Sequence, residues 1–168
     1  HYIQELSETE QSVKRVNMFP LEVVVRNVAA GSFAKRFGME EGIDLPFPVL
    51  EFYYKDDALN DPFINDAHVQ VLGAATEEEV VEIKKQALKI NAALIEMFKA
   101  IGIRLIDFKI EFGKTAEGEI ILADEISPDT CRLWDLETNE HLDKDIYRRD
   151  LGDLIPVYVE VLDRLNKL

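Results

Sequence analysis

Asp107, Lys109 and Glu111 stand at alternating positions, and they are the residues of this sequence best suited to chemistry. In an extended strand, side chains two apart share a face. Two carboxylates and an ammonium would then stand in a row, while Ile106, Phe108, Ile110 and Phe112 turn to the core. A turn at 115–118 and a returning strand at 119–124 bring Asp124 and Glu125 into the same hairpin. Asp124 then lies near Glu111 or Lys109, depending on a register that the sequence leaves open. Such a group suits Mg²⁺ and polyphosphate, because Mg²⁺ takes a few carboxylate oxygens together with phosphate and water. Lysine adds a compact positive charge. The solvated face of an ordinary hairpin carries the same pattern, so spacing alone leaves both readings open.

A second candidate lies in residues 18–32, Met-Phe-Pro-Leu-Glu-Val-Val-Val-Arg-Asn-Val-Ala-Ala-Gly-Ser. Leu21, Val23 and Val25 alternate with Glu22, Val24 and Arg26 as a strand requires. Residues 27–31 are small and turn-prone, and Ser32 is placed to cap a helix over 33–38 that stops at Gly38. A helix start with free N–H groups, a hydroxyl and a nearby Arg26 is suited to an anion. A structural strand–turn–helix with a surface arginine fits the same residues. The remaining basic residues, Arg132, Lys144 and Arg148, are scattered along the sequence.

Composition narrows the classes. The 168 residues are 47% hydrophobic, enough for one domain with its own core. A net charge of −14 opposes nucleic acid and anionic membranes as partners. Any anion site must therefore be a local basic cluster. No apolar run is long enough to span a bilayer. The single cysteine, Cys131, suits a reducing cytoplasm and reads as packing. His1, His68 and His141 show no ligand spacing, Trp134 reads as core or cleft wall, and no glycine-rich phosphate loop is present.

These side chains need elements to hold them. Residues 2–16 enter a first strand pair, 46–54 read as a buried strand, and the polar stretch 55–66 reads as a loop. Thr76 and Glu79 form a capping box. From there Val80, Ile83, Ala87, Ile90, Leu94, Phe98 and Ile101 recur at helical spacing until Gly102. Residues 103–112 form a strand, and Leu151 to Leu165 a last amphipathic helix that tolerates Pro156 only in its first turn. Mixed strands and helices with a hairpin predict an α+β domain, a mostly antiparallel sheet with packed helices. No linker is visible, so 1–168 reads as a single domain.

Three stretches together resemble one family. Residues 18–32, Leu105-Ile-Asp-Phe-Lys-Ile-Glu-Phe-Gly113 and Ala123-Asp-Glu-Ile-Ser-Pro-Asp-Thr-Cys-Arg-Leu-Trp-Asp135 are similar to successive signatures of phosphoribosylaminoimidazole-succinocarboxamide synthase (SAICAR synthetase). The resemblance implies the main lobe of a two-lobe ATP-binding fold. The family's leading lobe, which closes over the nucleotide, is missing from a chain that starts at His1. It implies an ATP-dependent ligase of purine biosynthesis. Such an enzyme joins L-aspartate to the carboxylate of carboxyaminoimidazole ribonucleotide (CAIR), giving SAICAR, ADP and phosphate. ATP and Mg²⁺ are the implied cofactors. Lys109, Glu111 and Asp124 would contact the nucleotide, with Glu111, Asp124 and Asp61 on the metal. Lys55, Asp61 and Asp107 would line the catalytic cleft. Arg26, Ser32, Arg132, Lys144 and Arg148 would bind the ribonucleotide. Without the leading lobe, the alternative is a catalytically impaired ribonucleotide-binding fragment. Apolar surface in excess of one core would mark a homodimer.

Overall fold

The hydrophobic periods become strands and helices in the computed structural model, which describes residues 1–168. In chain order these are β1 (Tyr2–Ser7), β2 (Glu10–Val13), β3 (Asn17–Met18), β4 (Leu21–Val28), α1 (Gly31–Phe37), β5 (Asp44–Tyr54), a 3₁₀ turn (Asp57–Leu59), β6 (Phe63–Ile64) and α2 (Asp66–Val71). They continue as α3 (Glu77–Ala100), β7 (Ile103–Ile110), β8 (Phe112–Lys114), β9 (Ile120–Leu122), β10 (Cys131–Asp135), α4 (Asp145–Arg148) and α5 (Leu154–Leu165). The class is α+β, as the mixture of periods predicts.

The chain divides into two compact units. The first comprises His1–Val23, Glu51–Gln86 and Ile110–Glu125, and the second Val24–Leu50, Ala87–Lys109 and Ile126–Leu168. No linker marks the division because β4, β5, β7 and α3 each carry residues of both units.

In the first unit β1 pairs with β2, β8 with both β3 and β9, and β5 with β6, all antiparallel. Lys114↔Ile120 and Phe112↔Leu122 fix the β8–β9 register. Thr76 and Glu79 make the expected reciprocal cap at the start of α3, with N–H contacts of 2.9 and 3.3 Å. In the second unit the sheet runs β10-β7-β4-β5, with β10 antiparallel to β7. Its core includes a cluster of Val28, Ala30, Ile106 and Trp134.

Several elements depart from the sequence expectation for identifiable reasons. β4 runs two residues further, through Asn27 and Val28. The Asn27 amide is paired reciprocally with Asn91 on α3 at 2.8 and 2.9 Å, so a turn-prone residue is satisfied inside a strand. β5 is mostly exposed in its first half, where Pro46 and Pro48 cannot donate to a ladder, and Phe47 is 66% exposed. The stretch 55–66 holds β6 and the 3₁₀ turn, and Asn65 caps the short α2 in a box with His68. The predicted strand over 103–112 breaks at Glu111. Before the break Lys109 N–H bonds Thr130 C=O, and after it Phe112 pairs with Leu122, so the backbone changes partner there. Along α5, Ile155, Val159 and Leu162 are exposed and only Val161 is fully buried.

Candidate active site

The second unit builds an arginine pocket from elements of very different sequence position. β4 supplies Arg26, β7 supplies Asp107 and β10 supplies Arg132, on adjacent strands of one sheet. Asp107 is 3% exposed and accepts from Arg26 Nη1 at 2.7 Å and from Arg132 Nη1 at 3.0 and 3.1 Å. Arg132 Nε donates in turn to Asp145 at 2.8 Å, and Arg148 Nη1 to the other oxygen of Asp145 at 3.1 Å. Burial pushes the Asp107 carboxyl up, while Arg132 and Arg26 pull it back toward ionisation. Burial also opposes the charge on Arg132, but Asp107 and Asp145 outweigh it and hold that guanidinium above its ordinary value. Burial is the larger influence, and two guanidiniums at such distances oppose it through charge-assisted hydrogen bonds. Asp107 is therefore enclosed by the two arginines. It fixes the two arginines from behind.

Arg26 is likewise buried, at 3% exposure. Its Nη2 donates to Ser32 Oγ at 3.3 Å, and its guanidinium lies 5.6 Å from the centre of the Phe33 ring. Ser32 does not cap α1. The helix opens two residues earlier with Ala30 as the N-cap and no side-chain cap bond. Instead the Gly31 N–H is taken by Glu41 Oε1 at 2.8 Å, which leaves the Ser32 hydroxyl to Arg26. Gly31 has φ +50°, and a Cβ there would stand 2.5 Å from Arg132 Nη2. Only glycine lets the guanidinium lie this close to the backbone. At the far end of α1, Gly38 takes the left-handed C-cap (φ 62°) that the sequence predicts.

A cavity of about 680 Å³ opens on this group, lined among others by Ser32, Glu41, Arg132, Asp145, Arg148 and Arg149. Arg149 donates to both oxygens of Glu41 at 2.8 and 2.9 Å and reaches Asp145 at 3.4 Å. The Arg149 fork holds Glu41 below the usual carboxylate range. Arg26, Arg132, Arg148 and Arg149 gather here around Asp107, Asp145 and Glu41, a local concentration of guanidiniums on a chain of net charge −14. Of the basic residues named from the sequence, Arg132 and Arg148 line the cavity, with Ser32, while Arg26 braces them. Lys144 is not among the lining residues and pairs with Asp129 at 2.6 Å.

The first unit holds Lys55, Asp61, Glu111 and Asp124. Lys55 Nζ contacts Glu111 Oε2 at 2.6 Å, and Glu111 is 8% exposed. The register puts Ala123 opposite Glu111, through an N–H···O bond of 2.9 Å, with Asp124 the next residue along. Asp61 Oδ1 accepts the Asp56 N–H at 2.9 Å. Asn60 and Asp61 both have left-handed φ, 57° and 44°, a strained pair that shapes this loop. Lys109 belongs to the second unit and is half-buried on β7.

Sequence reasoning missed Glu41, Asp145 and Arg149. Their signal was weak, since charged residues beside glycines and helix starts are common. It also passed over His141, Asp143 and Asp145, whose donor atoms lie within 4.8 Å of one another. These residues alternate along the chain, as an extended segment would need. Asp143 is fully buried and accepts the Leu133 and Asp145 N–H groups at 2.8 and 2.7 Å. With Asp145 surrounded by Arg132, Arg148 and Arg149, this cluster orders arginines rather than inviting a cation. Cys131 is buried packing, its thiol pushed up to about 12 by burial.

Comparison with known proteins returns one family. The family model described as SAICAR synthetase matches residues 1–165. Phosphoribosylaminoimidazole-succinocarboxamide synthase of Enterococcus faecalis is 62% identical over 165 residues, covering 98% of this chain and 70% of that protein. A SAICAR synthetase solved in complex with ADP is 49% identical, with a TM-score of 0.97, covering 100% of this chain and 72% of the other. SAICAR synthetase from Pyrococcus horikoshii OT3 is also 49% identical, with a TM-score of 0.95, covering 100% and 73%.

Proposed function

The chain belongs to the SAICAR synthetase family, and from that premise we propose that it joins L-aspartate to CAIR in an ATP-dependent ligation of purine biosynthesis. The products are SAICAR, ADP and phosphate. A carboxylate is a poor electrophile, so the CAIR carboxylate is first phosphorylated by ATP. The aspartate amine then attacks the acyl phosphate and phosphate departs.

The arginine pocket is the observation that carries this reading. Arg132 and Arg148, with Ser32, present charge-assisted donors to a cavity on an otherwise acidic chain. That chemistry fits the phosphate of a ribonucleotide. Asp107 and Arg26 hold these donors in place, so little reorganisation is needed when the ligand arrives. Lys144 is tied to Asp129, which offsets its charge, and would reach the ribonucleotide only by leaving that pair.

Lys55, Lys109, Glu111, Asp124 and Asp61 serve the ATP side. Glu111, Asp124 and Asp61 offer only hard carboxylate oxygens, and such a donor set fits Mg²⁺, which needs few protein ligands beside phosphate and water. These three residues would hold Mg²⁺, which supplies charge neutralisation at the transferring phosphoryl group. Lys55 balances the buried Glu111 carboxylate, and Lys109 adds positive charge for phosphate oxygens. Asp61 sits on a strained turn, and its carboxylate is oriented by the Asp56 N–H.

The same proposal places the enzyme in the cytoplasm and pairs it as a homodimer, for which the exposed apolar residues of α5 give an available face. No helix is long and apolar enough to cross a membrane. A ribonucleotide-binding fragment without turnover is the less favoured reading, because the acidic and lysine residues of the ATP side are all present. ADP release measured with CAIR, aspartate and ATP, and with each omitted in turn, tests the assignment. Release that depends on all three supports it. Release independent of aspartate or of CAIR refutes it.

A further inference from the structure

We propose that Glu41 is a resident counter-anion of the arginine pocket, and that Arg149 becomes a ligand of the substrate phosphate once that phosphate displaces the Glu41 carboxylate. The inference rests on reading this cavity as the ribonucleotide site. Neither residue was marked by the sequence.

The geometry separates Glu41 from the other carboxylates of the pocket. Asp107 and Asp145 have side chains only 4% and 3% exposed and are fixed by arginines that hold the fold together. Glu41 lies in the turn region after α1, and its side chain is 35% exposed, as is that of Arg149. Its two oxygens receive the Arg149 fork, and one of them also takes the Gly31 N–H. A guanidinium fork and a backbone amide are the two kinds of donor that a phosphate group uses. The carboxylate thus occupies donors, at the wall of the cavity, that a phosphate would otherwise take.

A phosphate dianion carries more charge and more acceptor oxygens than a carboxylate, so it competes for the same donors with advantage. An exposed ion pair holds its partners by a factor of about five at most, weak enough for a ligand to break. The resident carboxylate also sets a threshold. A ligand with a single carboxylate gains nothing by replacing Glu41, whereas a dianion does, and the pocket is biased toward phosphate.

Calorimetric titration with ribose 5-phosphate, and with ribose as the control, tests this. The wild-type protein binds ribose 5-phosphate and not ribose. Glu41→Gln keeps an acceptor for Gly31 but loses the charge, and it binds ribose 5-phosphate about five-fold more tightly. Arg149→Ala binds it more weakly than wild type, and adding Glu41→Gln to Arg149→Ala brings no further gain. A purely structural role for Glu41 would not produce tighter binding. A Glu41→Gln protein that binds like wild type, binds more weakly or fails to fold overturns the role given to Glu41. So does an Arg149→Ala protein with unchanged affinity. These results leave the pocket reading standing. Wild-type protein that does not distinguish ribose 5-phosphate from ribose overturns the pocket reading, and this inference falls with it.

Discussion

Replacing Asp107 by asparagine tests how the arginine pocket is held. The carboxylate is 3% exposed and lies between Arg26, itself 3% exposed, and Arg132. Its contacts are 2.7 Å to the first and 3.0 and 3.1 Å to the second. Removing one partner of a buried ion pair costs about 3–5 kcal/mol, because the partner charge stays buried and uncompensated. Asparagine keeps one acceptor oxygen, which puts Asp107→Asn at the lower end, about 3 kcal/mol. Domains of this size are stable by roughly 5–15 kcal/mol in all, and each kcal/mol moves the melting temperature by about 2–4 °C. The variant should therefore melt about 6–12 °C lower, with the urea midpoint falling at unchanged slope. Ribonucleotide affinity should fall as well, since Arg132 loses the anchor behind it. A variant within 1 kcal/mol of wild type, with unchanged ribonucleotide binding, would show that Asp107 does not organise the pocket.

Three further outcomes are expected. Glu111→Ala should abolish turnover while leaving ribonucleotide affinity nearly intact, and wild-type turnover in that variant would reject the ATP-side assignment. Gly31→Ala places a Cβ 2.5 Å from Arg132 Nη2 at a φ of +50°, so it should cost about 1–2 kcal/mol from the backbone alone and also weaken ribonucleotide binding; calorimetry and thermal melts read the two effects separately. Asp143 is raised to about 6 by burial, so it is protonated more readily folded than unfolded, and the stability this gives is present at low pH and lost as pH rises through about 6. From pH 5 to pH 7 that loss is about 1 kcal/mol. Urea midpoints of wild type and Asp143→Asn at both pH values should differ in their pH dependence by this amount, and parallel curves would contradict it.

Strong local periods made much of the fold legible. The α3 stripe, its Thr76–Glu79 cap and the core side of β7 read directly from spacing, because each depends on neighbours in sequence. Asn27 was misjudged as turn because the amide that satisfies it, Asn91, comes from α3. The break at Glu111 depends on which strands its flanking residues pair with, and a continuous alternation cannot reveal that. In the pocket, Arg26 and Ser32 were reached from the strand–turn–helix spacing, and Arg132 and Arg148 through the family resemblance. Asp145, Arg149 and Glu41 were missed because their meaning lies in contacts across as many as 108 positions of sequence. Asp107 was recognised as chemistry-bearing, but its burial between two arginines is a property of adjacent strands and is not written in the alternation around it.

The central claim is that the CAIR carboxylate is activated by ATP and then captured by aspartate. Turnover with CAIR labelled by ¹⁸O in its carboxylate, followed by ³¹P NMR of the released phosphate, tests it most directly. One labelled oxygen transferred to each phosphate is the predicted result. Unlabelled phosphate, released at the rate SAICAR forms, would contradict the account.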